Sequence, residues 1–258
     1  MDGIFLKQSL DQPLFPGLLW SRPENKLHAG KLLIVGGNAS GFKAPAEAYR
    51  YAVQAGAGSA RIILPDALRK TVGEIFLEIG HYAPSTPSGS FGYRAFAEFL
   101  AHAQWADGVL LAGDFGKNSE TAGLLEYFLG KYQGQITLTG DSIAPFLDNI
   151  SALLKHSGDT TLVVTASQLQ KIGVGARLPK AFVSDMPLQN FAKLLEMLAS
   201  KNQVHIITIR DEQIFVAAAG QVSVTPAKKS LLELASSAAV WLLQNPEKPF
   251  EALTMSVL

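Results

Sequence analysis

The first residues whose types and spacing suit chemistry are Gly36-Gly37-Asn38-Ala39-Ser40-Gly41, directly after the apolar run Lys31–Val35. Glycines leave backbone N–H groups bare, and bare amides at a strand-to-helix junction can cradle a phosphate. The stretch has neither the Walker lysine pattern nor the GxGxxG spacing of dinucleotide folds, so a tight strand-to-helix connection is the competing reading. A second candidate is Ser230-x-x-Glu233. It places a carboxylate in a first helical turn, the pattern of a capping box in which each side chain satisfies a backbone amide. Arg210-Asp211-Glu212-Gln213 lies between two apolar runs and reads as a solvated hairpin turn.

Other chemistries find little support. His28, His81, His102, His156 and His205 are scattered, with no i, i+4 pair and no HExxH pattern, so no metal site is expected. No GxSxG occurs among the serines. The absence of cysteine excludes disulfides, thiol nucleophiles and thiolate metal sites. Lys plus Arg number 22 and Asp plus Glu number 22, giving zero formal charge with no basic stripe, so nucleic acid is not an expected partner. The longest apolar helix candidate, Leu231 to Leu243, is interrupted by Glu233, Ser236 and Ser237 and is shorter than the roughly 20 residues that span a bilayer. The first 20 residues lack a basic start followed by an unbroken apolar run, so no secretory signal and a cytoplasmic location are expected. The chain is built for a small-molecule ligand or for another protein.

The elements that must position these groups alternate between strand and helix. KLLIV (31–35) reads as a buried strand, and a helix follows with Pro45 in its first turn and Ala48, Tyr51, Ala52 and Ala55 at helical spacing. Strands are predicted at 60–64, 108–112, 136–139, 162–165, 204–209 and 214–218, with helices at 121–129 and 191–198. The segment 71–90, ending APSTPSGS, reads as a flexible loop over the sheet. Such alternation implies a mostly parallel sheet covered by helices on both faces. The economical organisation is one α/β domain over 1–258, with 1–21 as an N-terminal extension packed on it.

Taken in order, several stretches resemble one family. These are Lys31-Leu-Leu-Ile-Val-Gly-Gly-Asn38, the helix opened by Ala44 and closed by Ala55-Gly56-Ala57-Gly58, LLAGDFGKNSET (110–121), TLTGDSI (137–143), VVTASQL (163–169) and LLQNPEKPFEAL (242–253). Together they are similar to the ATP- or ADP-dependent NAD(P)H-hydrate dehydratases, over roughly residues 22 to 258. The resemblance implies a ribokinase-like three-layer sandwich and a kinase-like reaction. In that reaction a nucleotide, ATP or ADP with Mg2+, phosphorylates the hydroxyl of the hydrated nicotinamide ring, and loss of phosphate regenerates the cofactor. Such chemistry needs a base at the hydroxyl, bare amides at a helix N-terminus and a nucleotide pocket.

Carried over residue by residue, the resemblance places Glu233 at the catalytic base, one methylene longer than the family's aspartate, with Ser230 opening the same motif. The motif's two glycines are replaced by Ser230 and Leu232, and leucine side chains obstruct a phosphate approaching the backbone. Arg210 falls in the family's adenylate-binding turn, whose lysine, glycine and threonine are all changed. On the substrate side Ala44, Asn38, Asp114, Gly116, Asp141 and Ser167 match positions of the ligand cleft. There Asp114 replaces a glycine, Ser167 replaces a histidine, and Thr139 replaces the first aspartate of Asp-Ala-Asp. Lys26 matches the middle of the family's His-Lys-Gly, with His28 beside it.

Three readings stay open. One is a degenerate, ribokinase-fold pseudoenzyme that keeps a ligand or partner but has lost the nucleotide site. Another is an active dehydratase or small-molecule kinase that uses Glu233 as base and Lys228, Lys229 or Arg210 on phosphate. The third is a structural or interaction subunit, self-associating as homo-oligomers of the family do.

Overall fold

The strands form where apolar residues run unbroken between glycines and prolines, because a strand covered on both faces buries every side chain. In the computed structural model, which describes residues 5–258 apart from 74 and 77, ten strands result. They are β1 (Leu6–Lys7), β2 (Lys31–Gly36), β3 (Ser59–Pro65), β4 (Gly80–Ala83), β5 (Gly108–Gly113), β6 (Gln135–Thr139), β7 (Thr160–Val164), β8 (Val204–Arg210), β9 (Gln213–Ala218) and β10 (Gln221–Pro226). The helices are α1 (Gly17–Trp20), α2 (Lys43–Gln54), α3 (Arg69–Val72), α4 (Phe96–Trp105), α5 (Ser119–Lys131), α6 (Ile150–Leu154), α7 (Ala166–Gly175), α8 (Leu188–Asn202), α9 (Leu231–Gln244) and α10 (Pro249–Ser256).

All strands share one sheet, in the order β1-β10-β9-β8-β7-β6-β5-β2-β3-β4. From β8 to β4 neighbouring strands are parallel, and β9 is antiparallel to both of its neighbours. The carboxyl ends of β2, β5, β6, β7, β8 and β10 therefore lie at one edge of the sheet, and α9 starts from that edge. Side chains alternate across it with period two. Leu33, Val35, Val109 and Leu111 join the core under α4, α5, α7 and α8, while Leu32, Ile34 and Leu110 join that under α2, α9 and α10. On α9 the stripe Leu234, Ala235, Ala238, Ala239 and Leu242 is fully buried, and its small residues let the helix lie close to the sheet.

The segment expected to be a flexible loop is in part ordered structure. Within 71–90, β4 pairs with β3 from Ile62↔Gly80 to Pro65↔Ala83. Beyond it Ser85 bridges Phe91, and Gly89 O accepts the Ala39 amide at 2.9 Å. Strand β4 was not legible because GHYA is short and half-polar; pairing with β3 makes it a strand. Helices α4 and α7 and strand β10 also escaped the sequence reading. At the other border of the sheet β1 pairs with β10, and the buried Gln8 side chain bonds Thr225 Oγ1 at 3.0 Å. No helix is long and apolar enough to cross a membrane among the described residues.

Candidate functional site

The glycine-rich loop after β2 spends its amides within the protein. Gly37 N–H donates to Gly113 O, Asn38 and Gly41 bond each other's carbonyls, Ala39 donates to Gly89 O, and Ser40 donates to Asn38 Oδ1 at 2.7 Å. Five consecutive N–H groups are thus satisfied before any ligand arrives, which supports the connection reading over the phosphate cradle. The two backbones meet closely here. A Cβ at Gly36 would stand 2.4 Å from Gly113 O, and the β2–β5 register shifts between Val35 and Gly36.

Asp114, predicted to line a substrate cleft, sits in left-handed backbone (φ 61°) and turns its carboxylate onto the start of α2. Its Oδ2 accepts the Ala44 N–H at 2.7 Å, and its carbonyl accepts Asn38 Nδ2 at 2.6 Å. The N-cap residue of α2, Phe42, supplies no side-chain bond, so Asp114 caps that helix from across the sheet edge. One strand on, Asp141 accepts a loop amide instead, taking the Gly116 N–H on Oδ2 at 3.0 Å. Partial removal of its carboxylate from water raises its pKa, backbone N–H bonds from Gly116 and Phe115 oppose this, and nearby Asp114 adds to the rise. Ala44, Asn38, Asp114, Gly116 and Asp141 are therefore brought together, with their polar groups bonded to one another.

Ser167 and Arg210 meet two strands away. Thr165 caps α7 through the Gln168 amide, which leaves Ser167 exposed in the first turn. It lines a cavity of about 520 Å³ with Leu169, Phe182, Phe191, Arg210 and Asp211. Arg210 is not the solvated turn residue that was expected. Its side chain is 15% exposed; Nη2 donates to Ser184 O at 2.7 Å and Met186 O at 2.5 Å, and the guanidinium lies 5.0 Å over the Phe191 ring. The turn itself is Asp211-Glu212, both with positive φ (51° and 56°) as a two-residue hairpin requires.

At the start of α9, Ser230 Oγ accepts the Glu233 N–H at 3.1 Å. The expected capping box is only half made. The Glu233 carboxylate turns instead to Lys229 Nζ, 3.8 Å away, and lines a groove of about 270 Å³ with Arg22, Tyr51, Ser237 and Trp241. That groove follows the outer side of α9, because positions 233, 237 and 241 share the face opposite the sheet-packed stripe. Leu231 and Leu232 pack against the apolar core. Lys228 pairs with Glu212 at 3.0 Å.

Lys26 and His28 lie in a short helical turn just before β2, at the sheet edge opposite to these groups, where the Gly58 N–H bonds Ala29 and Gly30 carbonyls. The fold also joins what the sequence left apart. His81 of β4 and His102 of α4 stand with ring centroids 4.1 Å apart. No group of three His, Asp or Glu side chains is arranged to hold a metal among the described residues.

Solved structures share this arrangement over almost the whole chain. A ribokinase-like superfamily protein from Enterococcus faecalis V583 superposes with a TM-score of 0.69 at 15% identity, covering 97% of this chain and 85% of its own. The fold is ribokinase-like. An ADP/ATP-dependent NAD(P)H-hydrate dehydratase from Bacillus subtilis, co-crystallised with ATP/Mg2+, matches this ribokinase-like chain at TM-score 0.62 and 14% identity, covering 95% of it and 86% of its own length. The phosphomethylpyrimidine kinase of Clostridium difficile 630 matches at TM-score 0.55 and 10% identity, over 88% and 96%. No protein-family model matches the sequence, and no curated protein matches it.

Proposed function

We propose that this chain is a divergent NAD(P)H-hydrate dehydratase-like protein that binds a small molecule at the carboxyl edge of its sheet and does not carry out nucleotide-dependent dehydration. The observation that carries this reading is the start of α9. Ser230 caps the helix, Leu231 and Leu232 pack on the core, and Glu233 faces the outer groove beside Lys229. The residues present do not fit a nucleotide polyphosphate at that helix. Leu231 and Leu232 stand at positions where close backbone approach favours glycine, and the nearby cations Lys228, Lys229 and Arg210 are each paired with a carboxylate. The loop after β2 adds support, since its amides and the Ala44 amide in the first turn of α2 are already bonded within the chain.

The test is a repair assay of hydrated NADH with ATP or ADP and Mg2+, read by recovery of NADH absorbance. No nucleotide-dependent recovery is expected. A normal turnover that disappears in Glu233→Ala would overturn the reading. Thermal melts add a binding readout, because a ligand at 100 times its Kd stabilises by about 2.7 kcal/mol. MgATP and MgADP are expected to leave the melting temperature unchanged.

A further inference from the structure

Strand β4 ends the sheet, is four residues long and is hydrogen-bonded to β3 alone. A strand so placed opens more cheaply than an inner one, because only one ladder breaks. On the face covered by α4 its His81 meets His102, with ring centroids 4.1 Å apart and planes tilted by 40°. Two charged groups act on the pair among the described residues. Arg61 of β3, stacked over Trp105 of α4 at 3.8 Å, adds positive charge, and Glu98, one turn before His102, adds negative charge. His81 Nε2 is buried without a hydrogen-bond partner.

Protonation undoes this contact. An imidazolium carries a proton on both nitrogens, so charging His81 in place buries a cation whose Nε2–H has no acceptor. A second proton on His102 puts like charges on two touching rings, beside Arg61 and against the single carboxylate of Glu98. Parting β4 from α4 gives both rings to water.

Strand β4 carries a strap over one end of the candidate site. Residues 84–90 close on themselves through the Thr86 N–H to Ser90 O and the Gly92 N–H to Pro84 O. The strap reaches the glycine-rich loop, where Gly89 O accepts the Ala39 N–H at 2.9 Å, and the start of α5, where Ser88 Oγ accepts from Asn118 Nδ2 at 2.9 Å. Its far end is fixed. Phe91 is fully buried with its ring 5.0 Å from that of Phe99, and its carbonyl accepts the Thr121 hydroxyl at 2.7 Å. Its near end is β4, so release of β4 lets the strap turn about Phe91 and bares the Ala39 amide.

We propose that the His81–His102 contact is a pH-sensitive clasp: acid separates the two rings, β4 leaves β3, and the strap 84–90 lifts from the glycine-rich loop while the inner strands stay paired. Rings that stay neutral in the closed form take up protons on opening. The open form therefore gains as pH falls through the ordinary imidazole value of about 6.5, and the clasp is fully closed above it. Each histidine held neutral adds about tenfold to the opening constant between pH 7.5 and pH 5.5.

Native-state hydrogen exchange of the full chain tests this, read residue by residue by NMR at pH 7.5 and pH 5.5 and corrected for the intrinsic change of rate with pH. The Ala39 amide and the β4 amides bonded to β3 are expected to lose protection about ten- to a hundredfold at the lower pH. They should do so with little dependence on added urea, whereas amides of β5 to β8 show the steep dependence that marks global unfolding. The double variant His81→Phe/His102→Gln keeps a ring on β4 and cannot titrate, so its loss should shrink to about twofold or less. If the double variant melts early, His102→Gln alone, at a half-exposed helix position, should still cut the response. Protection at β4 and Ala39 that is independent of pH, that shares the urea dependence of β5 to β8, or that falls undiminished in both variants would each overturn the proposal. The clasp stands on the fold alone, and the hydrated-NADH assay judges the proposed function separately.

Discussion

Asp114 shows how one side chain can change what a sheet edge offers. In left-handed backbone its carboxylate reaches across to the first turn of the 12-residue helix α2, where N–H groups and the helix dipole would otherwise attract an anion from solution. Asp114→Ala should lose this cap and add strain at positive φ, for a loss of about 1–2 kcal/mol in urea unfolding. Asp114→Asn keeps an acceptor and tolerates the backbone, so it should cost less. Glu233 is expected to behave in the opposite way. Its pair with Lys229 is long at 3.8 Å and partly exposed, so Glu233→Ala should change stability by no more than about 0.5 kcal/mol. A loss of several kcal/mol in that variant would mean the groove holds Glu233 by contacts other than this pair.

Between elements, stability rests on two close passages. Gly36 and Gly113 let β2 and β5 approach until a Cβ at Gly36 would stand 2.4 Å from Gly113 O. Gly36→Ala must push the strands apart, with an expected loss of about 1–3 kcal/mol by denaturant titration. The β8–β9 hairpin carries the contrary defect. Glu212 holds a φ of 56° that glycine adopts without steric penalty. Glu212→Gly should therefore raise stability by up to about 1 kcal/mol, or roughly 2–4 °C in melting temperature, despite losing the exposed pair with Lys228. A lower melting temperature would show that the Lys228 pair outweighs backbone relief.

For the molecule as a whole, the histidines predict acid lability. Burial lowers the pKa of His205, whose ring nitrogens have no partner, and of the touching His81 and His102, where Arg61 and, for His81, the facing ring add to the drop against Glu98. Folded imidazoles thus stay neutral to lower pH than unfolded ones. As pH falls through the ordinary imidazole value of about 6.5, the unfolded chain binds more protons and stability is lost. Asp141 contributes with the opposite sign, since its raised pKa favours the fold below the carboxylate range and is lost as pH rises through it. Urea midpoints should fall between pH 7.5 and pH 5, and less steeply in His102→Gln. An unchanged slope in that variant would remove the histidine pair from the account.

The amino-acid sequence by itself determined the layered architecture, because buried parallel strands demand unbroken apolar runs such as KLLIV and GVLLA, and these can be read locally. Grouping Asn38, Asp114, Gly116 and Asp141 rested on the family resemblance alone; in the structure they share one edge because each follows a strand of the same direction. Strand β4 and helix α7 were not legible, because pairing and packing with distant residues stabilise them more than their own composition does. The chemistry of the edge was decided only by the tertiary structure. Whether the amides of 37–41 are free, whether Asp114 caps a helix 70 residues away, and whether Arg210 is solvated or folded under Ser184 all depend on partners remote in the chain. A polar group's availability is set by what has already satisfied it, and those partners are fixed by the packing of the whole molecule.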